Sequence, residues 1–152
     1  MISMSRKTAR ELALHIIFEM DFTGEGCDAL LEKQLDADHF TDLAGEDRLY
    51  QTFPDERDAA YIRRVASGVG SHLAELDTYI ERYSVGWKFG RISRIVACIM
   101  RLSMYEILYM PDVPDSVSIN EAVELAKRYD TPEAASFING ILGTFVRKEV
   151  TT

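Results

Sequence analysis

The chain has little cysteine: two residues, Cys27 and Cys98, in 152. They lie far apart, each in a segment of helical pattern, and provide neither a disulfide framework nor the paired spacing of a metal site. It also lacks an apolar run of membrane-spanning length. The most apolar stretch, Ile92 to Met110, is broken by Arg94, Arg101 and Glu106. That pattern marks a buried core helix, not a span. No signal-peptide-like run opens the chain, so a soluble, cytoplasmic protein is expected. Positive charge is in short supply: 17 Lys and Arg stand against 25 Asp and Glu, a formal charge of −8. Phosphate backbones reward clustered Lys and Arg, so this balance taken alone argues against nucleic acid.

Patterns that carry chemistry are missing too. The three histidines, His15, His39 and His72, have no partner at metal spacing and read as surface or half-buried residues. "GVG" at 68–70 lies inside a helical pattern and lacks the surroundings of a phosphate loop. No Ser, Cys or Lys sits in a recognisable nucleophile motif. Hence no catalytic residue, metal or cofactor is expected, and the chain does not read as an enzyme. There is no convincing period-two strand, internal repeat or low-complexity tract.

What is present is helical periodicity on a chain of single-domain length, long enough to bury about two-thirds of its unfolded surface. The acidity is local. From Glu19 to Ala60 there are thirteen acids and three bases, a net of −10; the other residues hold 12 acids and 14 bases, a net of +2. A solvated acidic surface explains this segment most simply.

The first helix presents Ala9, Leu12, Ala13, Ile16, Ile17 and Met20 at three-and-four spacing and ends at "GEG", 24–26. Shorter acidic helices are predicted over 27–37 and 41–52. Pro54 breaks the chain, and a helix starting near Asp55 runs to about Val69, with Ala59, Ile62, Val65, Ala66 and Val69 inward. Leu73, Leu76, Ile80 and Tyr83 predict another, stopped near Gly86. The apolar helix 91–109 follows, then a loop fixed by Pro111 and Pro114. "SINE", 118–121, has the pattern of a capping box. "TPEA", 131–134, reads as a helix start with Thr131 as cap and Pro132 at the first position. In this last helix Ala135, Ile138, Leu142 and Phe145 face inward. The fold class is therefore all-α, a bundle of about seven to eight helices with short connections.

One local conflict stands out. Arg6, Lys7 and Arg10 open the first helix, where the helix dipole prefers acids. With Ala9 set at zero and 100° per residue, Met20 at about 20° centres the core face. Arg6 and Arg10 lie on the flank, at about 60° and 100°. Leu14, Lys7, Phe18, Glu11 and Phe22 follow from about 140° to 220°, opposite the core. Two readings fit. Either the helix is buried on both sides and its cations snorkel, or a second apolar face binds a partner and a basic edge touches phosphate. Phe137 raises a similar choice. It sits off the core face of the last helix, near Glu133 and Gly140, and either packs against a neighbour or stacks on an unpaired base. Asn139 and Gly140 read as structural, serving close helix packing.

Three motifs, in order, resemble one family. "RKTARELALHIIF" fits the opening basic helix of the NusB family of bacterial antitermination factors. "RLSMYEILY" (101–109) fits a central helix. "DVPDSVSINEAVELAKRYDTPEAASFINGILG" (112–143) carries the family's "INEAVELAK" and "F-[IV]-N-G-[IV]-L" blocks. The similarity runs from about Ser5 to Lys148. It implies an all-helical, non-catalytic protein that binds a short single-stranded leader RNA, boxA, together with NusE, a protein of the small ribosomal subunit. The pair modifies RNA polymerase so that rRNA operons are read past terminators. By position, the resemblance assigns RNA contact to Arg6, Lys7, Arg10, Glu133 and Phe137, and the NusE side to Phe18, with Leu14 and Phe22 on the same face, and to Val96. The chain departs from the family in its long acidic segment, about 19–60, and in having Val96 and Ala97 where an acid and a base are common. Two alternatives compete with the antitermination reading. One is a protein-interaction module that has lost RNA binding. The other is a NusB-like domain of the kind fronting rRNA cytosine methyltransferases, disfavoured because no methyltransferase domain or cofactor glycine motif follows. Monomer and homodimer both stay open.

Overall fold

The computed structural model describes residues 4–84 and 92–150. Every regular element among them is helical. The chain divides into two compact units, Met1–Gly70 and Ser71–Thr152.

The first unit is built on α1 (Arg6–Thr23). Ser5 caps it, its Oγ accepting from the Thr8 amide at 3.1 Å. Gly24 ends it in the left-handed region, φ 76°, where glycine is favoured. Helix α2 (Cys27–Gln34) and a 3-10 turn (Arg48–Tyr50) both pack on α1, with α3 (Ala37–Leu43) between them in sequence. Helix α4 (Glu56–Ser71) follows. Asp55 caps it by accepting from the Asp58 amide at 2.9 Å. Leu12, Ile16, Ile17, Leu30, Leu31, Phe40, Ile62, Val65 and Val69 are all buried. Each large aliphatic side chain so buried contributes about 1.5–3 kcal/mol. The expected helix 41–52 is not continuous. The Leu43 carbonyl accepts from the amides of Glu46 and Asp47, closing a turn, and the Asp47 carboxylate then caps the 3-10 turn through the Leu49 amide.

The second unit contains α5 (Leu73–Tyr83), α6 (Arg94–Tyr109), α7 (Asp115–Tyr129) and α8 (Pro132–Phe145), then a π-helical turn, Val146–Val150. Twelve of the 16 residues of α6 are buried, so α6 is the central helix of this unit. Its buried polar groups are paired. Arg101 donates to both oxygens of Asp77 on α5, at 2.7 and 3.2 Å. Glu106 accepts from the Ser118 hydroxyl at 3.2 Å, and Ser103 donates to the Ser118 carbonyl at 3.1 Å. The inward set of α8, Ala135, Ile138, Leu142 and Phe145, is buried as the spacing predicts. Glu149 accepts from Arg82 and Tyr83, tying the π turn to α5.

Two details of the pattern need correction. "SINE" is not a helix start: α7 begins at Asp115, and the Ser118 amide already donates to the Pro114 carbonyl. Ser118 serves Glu106 instead of a cap. Gly140 is exposed, with open space where a Cβ would stand, so close helix packing is not its role. The expected stop at Gly86 lies outside the described residues.

Candidate nucleic-acid and partner interface

The first turn of α1 carries Arg6 and Lys7 and no acid. Lys7 is exposed, Arg6 half-buried and Arg10 only 3% exposed. Arg6 and Arg10 lie against Tyr61 on α4, itself 4% exposed. Its ring lies beneath the Arg6 guanidinium, whose Cζ is 4.2 Å from the centroid, and beside that of Arg10, at 5.8 Å. The basic edge therefore offers Arg6 and Lys7 outward, whereas the side chain of Arg10, also expected at a phosphate, is packed inside. Burial pushes the Asp58 carboxyl above its ordinary range; Asp55 adds to this and the Arg6 charge opposes it.

The second face of α1 splits along its length. In the N-terminal half, Leu14 and Glu11 are both fully buried. The Glu11 carboxylate receives Arg48 of the 3-10 turn at 2.8 Å. Farther along, Glu19 receives the Gln34 amide of α2 at 2.6 Å, and Gln34 in turn meets His39 of α3 at 3.1 Å. Burial, opposed by the Glu11 charge, holds the His15 imidazole below its ordinary value. The acidic segment thus covers half of α1, and Leu14, expected on the partner side, is fully buried beneath it. In the C-terminal half the face is open. Phe18 is half-buried and Phe22 is 68% exposed. Their rings stack at 6.1 Å and 11°. At 1.5 Å rise per residue this pair lies about 18–24 Å along α1 from Arg6, so the basic and aromatic ends are separate surfaces.

In the second unit, Phe137, Glu133, Val96, Ser93 and Asp130 line one pocket of about 230 Å³. Thr131 caps α8 by accepting from the Ala134 amide at 3.0 Å, which places Glu133 in the first turn, exposed. Ser93 caps α6 and donates to Asp130 at 2.7 Å, bracing the start of α8 against the start of α6. Phe137 is half-buried at the pocket wall. Val96, expected on the NusE side, is 3% exposed and lines this pocket with Glu133 and Phe137. An aromatic wall with carboxylates and hydroxyls nearby suits a planar ring bearing hydrogen-bond donors. Tyr61, Ser93 and Asp130 are absent from the sequence-based set. The caps were legible in principle, since Ser93 stands just before an apolar periodic run.

Among the described residues no three His, Cys, Asp or Glu side chains cluster so as to hold a metal. No helix there is long and apolar enough to cross a membrane.

The class these features define is a small all-α protein whose first helix carries a basic end and, at its other end, a partly exposed aromatic pair. The family follows from comparison: the NusB family model matches residues 7–147, and the chain belongs to the NusB family. It is 41% identical over 144 residues to the transcription antitermination protein NusB of Symbiobacterium thermophilum, covering 95% of this chain and 90% of that one. A solved NusB of T. maritima superposes with a TM-score of 0.80 at 29% identity, covering 97% and 94% of the two chains. A chain from a crystal structure of antitermination factors NusB and NusE in complex with dsRNA shares the fold, with a TM-score of 0.73 at 21% identity over 93% and 96%.

Proposed function

We propose that this chain is a transcription antitermination factor that binds boxA-type single-stranded leader RNA together with NusE and acts with RNA polymerase on rRNA operons. The observation that carries this is membership of the NusB family across residues 7–147, with relatives named for antitermination. The fold it shares with a chain of a NusB–NusE–dsRNA structure supports the choice of partners. It works in the cytoplasm, without a catalytic step or cofactor.

The geometry suggests how the labour divides. Arg6 and Lys7 meet phosphates. Phe137 stacks on an unpaired base, and Glu133 accepts from a base amine at the pocket rim. Phe18 and Phe22, at the far end of α1, face NusE. With two outward cations, few phosphates are neutralised, so binding by this protein alone is weak and NusE adds the rest.

The test is transcription through a terminator downstream of a boxA leader, reconstituted with RNA polymerase and NusE. Added protein raises readthrough on the boxA template and leaves a scrambled leader unaffected. Equal readthrough with and without the protein overturns the proposal.

A further inference from the structure

We propose that Tyr61 is the positioning residue of the basic end of α1, holding the Arg6 guanidinium flat so that its N–H edge is presented to an RNA phosphate. This rests on the RNA-binding reading above and assigns a role to a residue on a different helix. The Arg6 Cζ lies 4.2 Å above the centroid of the Tyr61 ring, which is within stacking range. A guanidinium on an aromatic face uses its π-surface for the stack and keeps its five in-plane N–H donors for hydrogen bonds. Stacking therefore holds the long side chain without consuming the groups that recognise phosphate. Lysine is a poorer substitute: its ammonium can still sit over the ring, but it has no planar fork of donors to hold toward a phosphate.

Arg10 completes the arrangement. Its Cζ is 5.8 Å from the same centroid, and at 3% exposure it is packed inside instead of facing RNA. Tyr61 is buried and sits between Asp58 and Val65 on the inward rows of α4, so its own position is fixed by the helix. Rotamer freedom that Arg6 would otherwise lose on binding is given up in the free protein, which is the advantage of preorganisation.

The test titrates a fluorescein-labelled single-stranded leader RNA, with NusE present, against wild type, Tyr61→Phe, Tyr61→Leu, Arg6→Met and the Tyr61→Leu/Arg6→Met double variant. Tyr61→Phe keeps the ring face and binds like wild type. Tyr61→Leu keeps apolar bulk but loses the quadrupole, and binding weakens about 2- to 5-fold. In the Arg6→Met background, which has no cation over the ring, the same change has no further effect, because the interaction it removes is already gone. Arg6 side-chain NMR provides a readout without RNA: its Nε–H resonance carries a ring-current shift that survives Tyr61→Phe and disappears in Tyr61→Leu. Wild-type affinity in Tyr61→Leu, or equal weakening in both backgrounds, overturns the proposal while leaving RNA binding intact. If Tyr61→Leu fails to fold, Arg6→Met decides: wild-type affinity there overturns the proposal. If wild type binds no RNA, the RNA-binding reading itself fails and this inference with it.

Discussion

Truncating Leu14 and Phe22 to alanine separates packing from recognition on α1. Both lie opposite the helix's main core face, and a helical wheel treats them alike. Leu14 is fully buried, whereas Phe22 is 68% exposed. Removing a fully buried leucine side chain loses its transfer free energy and leaves a cavity, about 3 kcal/mol for a typical site. For a chain of this size each kcal/mol moves the melting temperature by roughly 2–4 °C, so Leu14→Ala should melt about 6–12 °C lower. Phe22→Ala, at an exposed position, should change stability by less than about 0.5 kcal/mol. Thermal unfolding followed by circular dichroism reads both. The binding assay runs the other way: Phe22→Asp should weaken NusE capture while melting like wild type. A Leu14→Ala melt within about 2 °C of wild type would mean that the face is open along its whole length. In that case α2 and the 3-10 turn do not cover it.

Other outcomes follow from the same structure. Asp77→Asn removes a charge from the bidentate partner of Arg101, which is 6% exposed, and urea unfolding should show a loss of about 1–3 kcal/mol. The Tyr83 hydrogen bond, then the Arg82 hydrogen bond and charge against the opposing effect of burial, hold the Glu149 carboxyl below its ordinary 4.5. Its contribution to stability is therefore fully present above that value and lost as pH falls through the lower folded-state value. NMR titration should find the Glu149 midpoint depressed in wild type and shifted back upward in Tyr83→Phe. Phe137→Ala should weaken RNA binding by about 1–3 kcal/mol, read as RNA anisotropy, with NusE binding unchanged. If NusE binding drops instead, the pocket at α8 is a protein contact.

The helices were legible because their apolar spacing and punctuation agree. Ser5 and Gly24 bracket α1, and Thr131 with Pro132 opens α8, as the local pattern requires. The capping box at Ser118 misled because the pattern is local while Pro114 had already started the helix. The hydroxyl was claimed by Glu106, which no local window contains. The same limit governs the candidate site. A wheel ranks Leu14, Glu11, Phe18 and Phe22 together, but only the packing of α2 and the 3-10 turn decides which are covered. Arg48 is 37 residues from Glu11, and Tyr61 is farther still from Arg6. The acidity of residues 19–60 hid that segment's structural part, since its apolar residues Leu30, Leu31, Phe40 and Leu49 are buried. Val96 was assigned by family position alone; its burial and its pocket became visible only when α6 and α8 were seen together.

The most direct measurement is fluorescence anisotropy of boxA-type RNA titrated with this protein, with and without NusE, at several salt concentrations. The account predicts weak binding alone and tighter binding with NusE. With Arg6 and Lys7 as the outward cations, the slope of log affinity against log salt for the protein alone should be about −1.4, two phosphates at about −0.7 each. No binding in the presence of NusE, or tight salt-independent binding by the protein alone, would contradict it.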